Sequence, residues 1–190
     1  DDGKFIYTIR DKNGEVISTI SDEAKLKLEN LRKSVDPEIQ AHIAVHEAGH
    51  GILAALTLRI IPSVIISRTA SEAEGFCLIN FPKGPITRES LKKDIVITLG
   101  GYVAEKMIFG EEFTSSGVYA DIEEASALAN KAIRKYAMGM DPIHLAVEST
   151  QNEDAFFNAE RHDVEAVTLI KDCEVCAAEV LQRNKLLLLK

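Results

Sequence analysis

The chain has little cysteine: Cys77, Cys173 and Cys176 are the only three in 190 residues. Three thiols are too few for a disulfide scaffold, so a hydrophobic core must hold the fold and a reducing compartment is the expected setting. Long apolar runs are also missing. A bilayer span takes roughly 20 apolar residues, and the four leucines at 186–189 fall far short. No secretory leader pattern is present. Basic charge is in deficit, with 22 Lys and Arg against 30 Asp and Glu and a formal net charge of -8. That excludes general nucleic-acid binding through a basic face. Internal repeats and low-complexity segments are absent. The first residue is Asp1, not Met, so the expectation is a processed piece of a longer protein. Such a piece leaves room for a membrane anchor or another domain removed upstream. The expected location is cytoplasmic or an equivalent reducing organelle compartment, with membrane association only through a region outside these residues.

What is present reads as a mainly α chain with two small β-hairpins. Residues 5–19 form one expected hairpin, because Asn13-Gly14 is a two-residue turn signal between β-prone arms. A short amphipathic helix is expected over 22–34, and Pro37 marks a boundary. Residues 1–36 are therefore read as an appendage, and 37–190 as the main domain. From Glu38 to about Leu58 apolar residues recur at helical spacing, from Ile39 to Leu56. Short strands are expected at 63–67 and 75–80. A second helix is expected from Thr87, its cap, to Ile108, with Gly110 as its stop. Gly100-Gly101 inside that helix costs roughly 1 kcal/mol per residue relative to alanine, which points to close approach of another backbone. A third helix is expected over 121–137, with Gly139 as its stop. Residues 141–158 read as irregular. A last helix is expected over 160–185, facing inward through Val164, Val167, Ile170, Cys173, Ala177, Val180 and Leu181.

The chemistry is concentrated in "VHEAGH". His46 and His50 are four residues apart, which on a helix places them about 40° apart around the axis and roughly 6 Å along it. Both imidazoles can reach one metal ion. Glu47 lies about 100° further round, within reach of a water on that ion. Neutral imidazoles suit Zn²⁺, and a neighbouring glutamate can take the proton of the attacking water and pass it to the leaving amine. The pattern HExxH also occurs by chance, and two histidines do not complete a site. A catalytic zinc has three protein ligands and an open position. His42 lies about 12 Å along the axis from His50, too far to share its ion, and reads as a surface or supporting residue. Asp121 is the better third ligand, since it opens its own helix after a Gly/Ser loop.

With these residues in hand, the chain resembles the peptidase domain of the FtsH-type zinc metalloproteases, which are fused to an AAA ATPase. The segments "VHEAGHGILA", "GFCLIN", "LGGYVAEKMIFG", "SSGVYADIEEAS" and "VLQRNKLLL" match in order over about 38–188. An ordered set of this kind is far more specific than HExxH alone. The resemblance implies a mostly helical fold and zinc-dependent endopeptidase cleavage of unfolded or flexible polypeptides. It implies that His46, His50 and Asp121 hold Zn²⁺ and that Glu47 activates the zinc-bound water. It also implies a six-fold homo-oligomeric ring. The chain departs from the family in having no phosphate-binding Walker loop within its 190 residues, and in carrying Tyr102 where arginine is favoured. Its first 36 residues do not resemble the ATPase lid, and the loop before Asp121 is diverged. A stand-alone peptidase, or one served by a separate ATPase, is therefore expected. The alternative is a catalytically silent FtsH-like subunit that acts in assembly.

Three further readings follow. "GFCLIN" is either a buried strand or an edge on which a substrate strand pairs. Glu105 is read as a solvated or structural residue ahead of a partner that orients a ligand histidine. Cys173-x-x-Cys176 lacks a second pair and reads as core rather than redox or zinc-binding.

Overall fold

Pro37 is the first residue of a helix that runs to Leu53. Proline suits that position because its fixed φ is helical and its missing N–H would have no partner in the first turn. The computed structural model describes residues 7–10, 16–20, 37–66, 75–81, 83–140 and 153–189. The expected helix over 22–34 lies outside the described residues. Near the N-terminus, strands β1 (Tyr7–Arg10) and β2 (Val16–Ile20) pair antiparallel, as the Asn13-Gly14 turn signal predicts.

The helix opened by Pro37 is α1 (Pro37–Leu53), which continues through a wider turn at Ala54–Leu58 and ends at Arg59 in the left-handed region (φ 57°). Strands β3 (Val64–Ile66) and β4 (Phe76–Leu78) follow, antiparallel, with Ile65 opposite Cys77. Next come α2 (Arg88–Thr98) and α3 (Gly100–Phe109). Thr87 caps α2 as expected: its hydroxyl accepts from the Ser90 backbone N–H, and the Ser90 hydroxyl accepts from the Thr87 N–H. Then come α4 (Tyr119–Asn130), extended by a wider turn at Lys131–Lys135, the long α5 (Glu153–Arg183) and the short α6 (Lys185–Leu188). The mainly α class is the observed one.

Several boundaries differ from expectation. The helix expected over 87–108 is two helices, joined by a turn at Leu99 immediately before the glycine pair. The third helix begins at Tyr119, not 121. It gives out before Ala137, which takes the left-handed conformation (φ 52°), so Gly139 is not the stop. Gly139 instead makes room for Glu165, whose Oε2 would lie 2.2 Å from an added Cβ. Residues 153–158 are helical rather than irregular.

The core lies where α1 to α5 converge, on Leu53, Ile95, Ile97, Leu99, Leu181 and a set of alanines that includes Ala104, Ala129 and Ala177. Each fully buried leucine or isoleucine contributes about 1.5–3 kcal/mol. Val164 and Val167, expected to face inward, are exposed, and so is Leu56 in the wider turn after α1. The buried face of α5 runs through His162, Ala166, Cys173, Ala177 and Leu181. Small side chains let α5 approach its neighbours more closely than valines would. Of the CxxC pair, Cys173 is core as expected, but Cys176 is exposed.

Candidate metal centre

The second half of α1 carries His46, Glu47 and His50, and α4 brings Asp121 to them from its first turn. A carboxylate in the first turn is favoured by the positive end of the helix dipole. His46 Nε2 and His50 Nε2 are 3.2 Å apart, and each lies 3.1 Å from Asp121 Oδ2. These approaches to Asp121 are not aligned as hydrogen bonds, and Oδ2 is buried without one. Attraction across them is electrostatic and needs a positive charge on a ring or between the three atoms.

The other ring nitrogens are spoken for. His50 Nδ1 donates to the carbonyl of Ile97 at 2.8 Å, just before the turn at Leu99. His46 Nδ1 donates to Glu105 Oε1, also at 2.8 Å. With both Nδ1 atoms donating, the neutral rings aim two Nε2 lone pairs and one carboxylate oxygen into the same small space. That arrangement repels itself unless a proton or a cation lies between. A tetrahedral zinc bound at roughly 2.0–2.1 Å needs ligand atoms about 3.3 Å apart. The observed spacings of 3.1 and 3.2 Å fit that need. The three residues therefore suit a divalent metal, and the partners of both Nδ1 atoms are of the kind that orient ligand histidines.

The electrostatics follow from burial and charge. Burial lowers the His46 pKa, but its contacts with Asp121 and Glu105 outweigh this and raise it to about 9. Burial also works against the ionised Asp121, yet the two histidines hold its carboxyl down at about 2. Glu47 is only 7% exposed, and burial pushes its pKa up against the opposing pull of His50 and His46.

Glu105 corrects the sequence reading. It is not solvated but 1% exposed. Its Oε2 accepts from the Ser115 backbone N–H at 2.7 Å, and its Oε1 accepts from the Ser115 hydroxyl at 3.1 Å. Burial raises its pKa, but His46 and Ser115 together hold it below the usual range. His42 stays outside the cluster, as expected: its ring stacks on Phe109 with centroids 3.8 Å apart, and its Nδ1 lies 3.7 Å from Glu105 Oε2. Sequence reasoning missed the Ile97 carbonyl and Ser115. A backbone acceptor has no side-chain signature, and Ser115 is one serine of an ordinary loop.

The cluster opens into a cleft of about 520 Å³. Along one side run Cys77 and Leu78 of β4, followed by Ile79 and Phe81; α2 contributes Asp94, Ile97 and Thr98, and α4 adds Glu124 and Leu128. Gly101 of α3 lies flat against the back of His46, where a Cβ would come within 2.3 Å of the ring.

The model of Peptidase family M41 matches residues 33–186. The chain belongs to that family. This M41 chain is 30% identical over 148 residues to the mitochondrial inner membrane i-AAA protease supercomplex subunit YME1 of Saccharomyces cerevisiae, a match covering 74% of the chain and 19% of that protein. It is 34% identical over 123 residues to the ATP-dependent zinc metalloprotease FtsH 2 of Symbiobacterium thermophilum, covering 62% and 20%. It is 28% identical over 167 residues to the ATP-dependent zinc metalloprotease FtsH of Streptococcus pneumoniae, covering 80% and 25%. The M41 chain thus spans about a fifth to a quarter of the length of these relatives. Two of these relatives are named as zinc metalloproteases, in keeping with the resemblance to FtsH-type peptidases. Among the described residues no helix is long and apolar enough to cross a membrane.

Proposed function

We propose that this chain is a zinc-dependent endopeptidase that hydrolyses peptide bonds in unfolded or flexible polypeptides. The observation that carries the reading is the convergence of His46 Nε2, His50 Nε2 and Asp121 Oδ2, with both Nδ1 atoms already donating elsewhere. His46, His50 and Asp121 hold the metal. Bound Zn²⁺ would supply Lewis-acid polarisation of the scissile carbonyl and lower the pKa of a water.

The chain's own residues do the rest. Glu47 takes a proton from the attacking water and passes it to the leaving amine. Its raised pKa suits both halves of that exchange, since a base poised nearer neutrality releases the proton as readily as it accepts it. Glu105 and the Ile97 carbonyl fix the two imidazoles so that their Nε2 atoms face inward. β4 runs along the cleft, and among the described residues only β3 pairs with it. Its other edge is offered to an extended peptide, whose backbone hydrogen bonds would present the scissile carbonyl to the site. Such pairing requires an unfolded or flexible stretch, which defines the substrate class.

The peptidase unit is placed at 37–190, with 1–36 as an appendage; the family match over 33–186 supports this. Relatives carry "ATP-dependent" in their names. We extend that coupling to this chain as an ATPase partner, in the same protein or separate, that delivers unfolded polypeptide to a homo-oligomeric ring. The test compares zinc content and cleavage of an unfolded protein for wild type and Glu47→Gln. Wild type should cleave with one zinc per chain, and the variant should keep the zinc and lose activity by 10²-fold or more (about 10²–10⁴ for a general base). Equal cleavage by the two proteins would remove Glu47 from the mechanism. Zinc without cleavage in either would assign the chain to the silent-subunit class.

A further inference from the structure

We infer that Asp94 makes the cleft select polypeptides carrying a lysine or arginine side chain beside the scissile bond. The inference rests on the endopeptidase reading above and adds a substrate preference to it. Asp94 lies on α2 one turn before Ile97 and Thr98, on the same helix face, and all three line the cleft that contains His46, His50 and Asp121.

Asp94 is partly buried, and among the described residues it has no hydrogen bond or ion pair. Its neighbour Lys93 is already paired with Glu89, at 2.8 Å. Among the described residues no lysine or arginine lines the cleft. Burial alone shifts the Asp94 pKa, upward, with no cation opposing it. A carboxylate kept half out of water without a counter-charge is costly, and a cation brought by a ligand relieves that cost.

The apolar walls of the same cleft suit the rest of such a side chain. Leu78, Ile97 and Leu128 provide apolar surface for the methylene stem of lysine or arginine, while the charged head reaches the carboxylate. An acidic substrate side chain in the same place would meet Asp94, with Glu124 also on the cleft wall, and would be repelled. A neutral aliphatic side chain would fill the apolar part and leave Asp94 unpaired.

The experiment uses one flexible peptide series in which a single position, moved along the residues flanking the cleaved bond, is lysine, norleucine or glutamate. Zinc-loaded wild type and Asp94→Asn are compared by the lysine-to-norleucine ratio of kcat/KM. Wild type should favour lysine by about tenfold at one flanking position, and Asp94→Asn should bring that ratio close to one. Asp94→Arg should turn the preference toward glutamate. In parallel, the same peptides are bound to Glu47→Gln and to Glu47→Gln/Asp94→Asn, with affinity read by fluorescence anisotropy. Tighter binding of the lysine peptide that disappears with Asp94→Asn upholds the inference even where no peptide is cleaved, an outcome that would count only against the endopeptidase reading. Equal binding and cleavage of lysine and norleucine peptides by the Asp94 proteins, or a lysine preference that survives Asp94→Asn, overturns it.

Discussion

Gly49 of α1 and Gly100 of α3 meet backbone against backbone: a Cβ on Gly49 would stand 2.3 Å from the Gly100 carbonyl oxygen, and one on Gly100 would stand 2.9 Å from the Gly49 carbonyl carbon. No side chain fits between the two helices there. The crossing sits one residue before His50 and so sets the height of His46 and His50 above α3. Alanine is the better helix former by roughly 1 kcal/mol, yet the clash is with backbone and cannot be relieved by a rotamer change. Gly49→Ala and Gly100→Ala should each destabilise the metal-free chain by about 2 kcal/mol or more, as over-packing of a tight interior does. Urea unfolding measures this directly. A neutral or stabilising effect would mean that the helices slide apart at little cost.

Gly101 offers a more selective change. Its missing Cβ leaves space occupied by the His46 imidazole, at 2.3 Å from the nearest ring atom. The contact is with the tip of a side chain, so Gly101→Ala should push the ring aside rather than unfold the protein. Displacing a working group by about 1 Å can cost around 10²-fold. The expected result is a loss of zinc affinity and peptidase activity of that order, with a much smaller change in unfolding free energy than Gly49→Ala produces. Competition against a chromogenic chelator gives the affinity.

Glu105 should matter through His46. Glu105→Gln keeps an oxygen acceptor but removes the charge, and Glu105→Ala removes the acceptor and strands the Ser115 N–H as well. Partners of this kind are typically worth 10–100-fold in metal affinity. Zinc binding should weaken by about tenfold in Glu105→Gln and by more in Glu105→Ala. A chelator titration in which both variants match wild type would make Glu105 merely structural.

Much of this was legible in the sequence, for reasons that differ by residue. Helical spacing in "VHEAGH" places His46 and His50 on one face, and the Gly/Ser loop before Asp121 marks the carboxylate that opens another helix. Gly100-Gly101 announces a close backbone approach because a glycine pair inside a helix is unfavourable unless something fills the space. What stayed hidden depends on contacts between distant segments. Glu105 looks like a charged residue on an ordinary helix until Ser115 and His46 surround it. The inward face of α5 was misjudged because valine is more apolar than alanine, while close helix packing favours the smaller residue; Val164 and Val167 lie out and Ala166 lies in. The turn at Leu99 has no signal of its own, because the eleven residues Arg88–Thr98 run helical straight up to it with no proline or glycine among them.

The proton and the metal should compete for one place, and the sign of that competition is fixed by His46. Its folded pKa of about 9 lies above the ordinary 6.5, so the metal-free chain gains stability from the protonated ring. That gain is full below pH 6.5 and is lost as pH rises through about 9. Asp121, held at about 2 against an ordinary 3.8, contributes above pH 3.8 and loses its contribution only as pH falls toward 2. The metal-free protein should therefore be most resistant to urea between these limits and weaken from pH 6.5 to 9. Zinc needs the deprotonated ring, so its affinity should move the opposite way, rising about tenfold per pH unit until His46 is fully deprotonated. Calorimetry at pH 7.5 in two buffers of different ionisation enthalpy should record close to one proton released per zinc bound. Zinc affinity that stays flat from pH 6.5 to 8.5, with no proton released, would mean that His46 is already deprotonated and that Asp121 and Glu105 do not hold a proton on it.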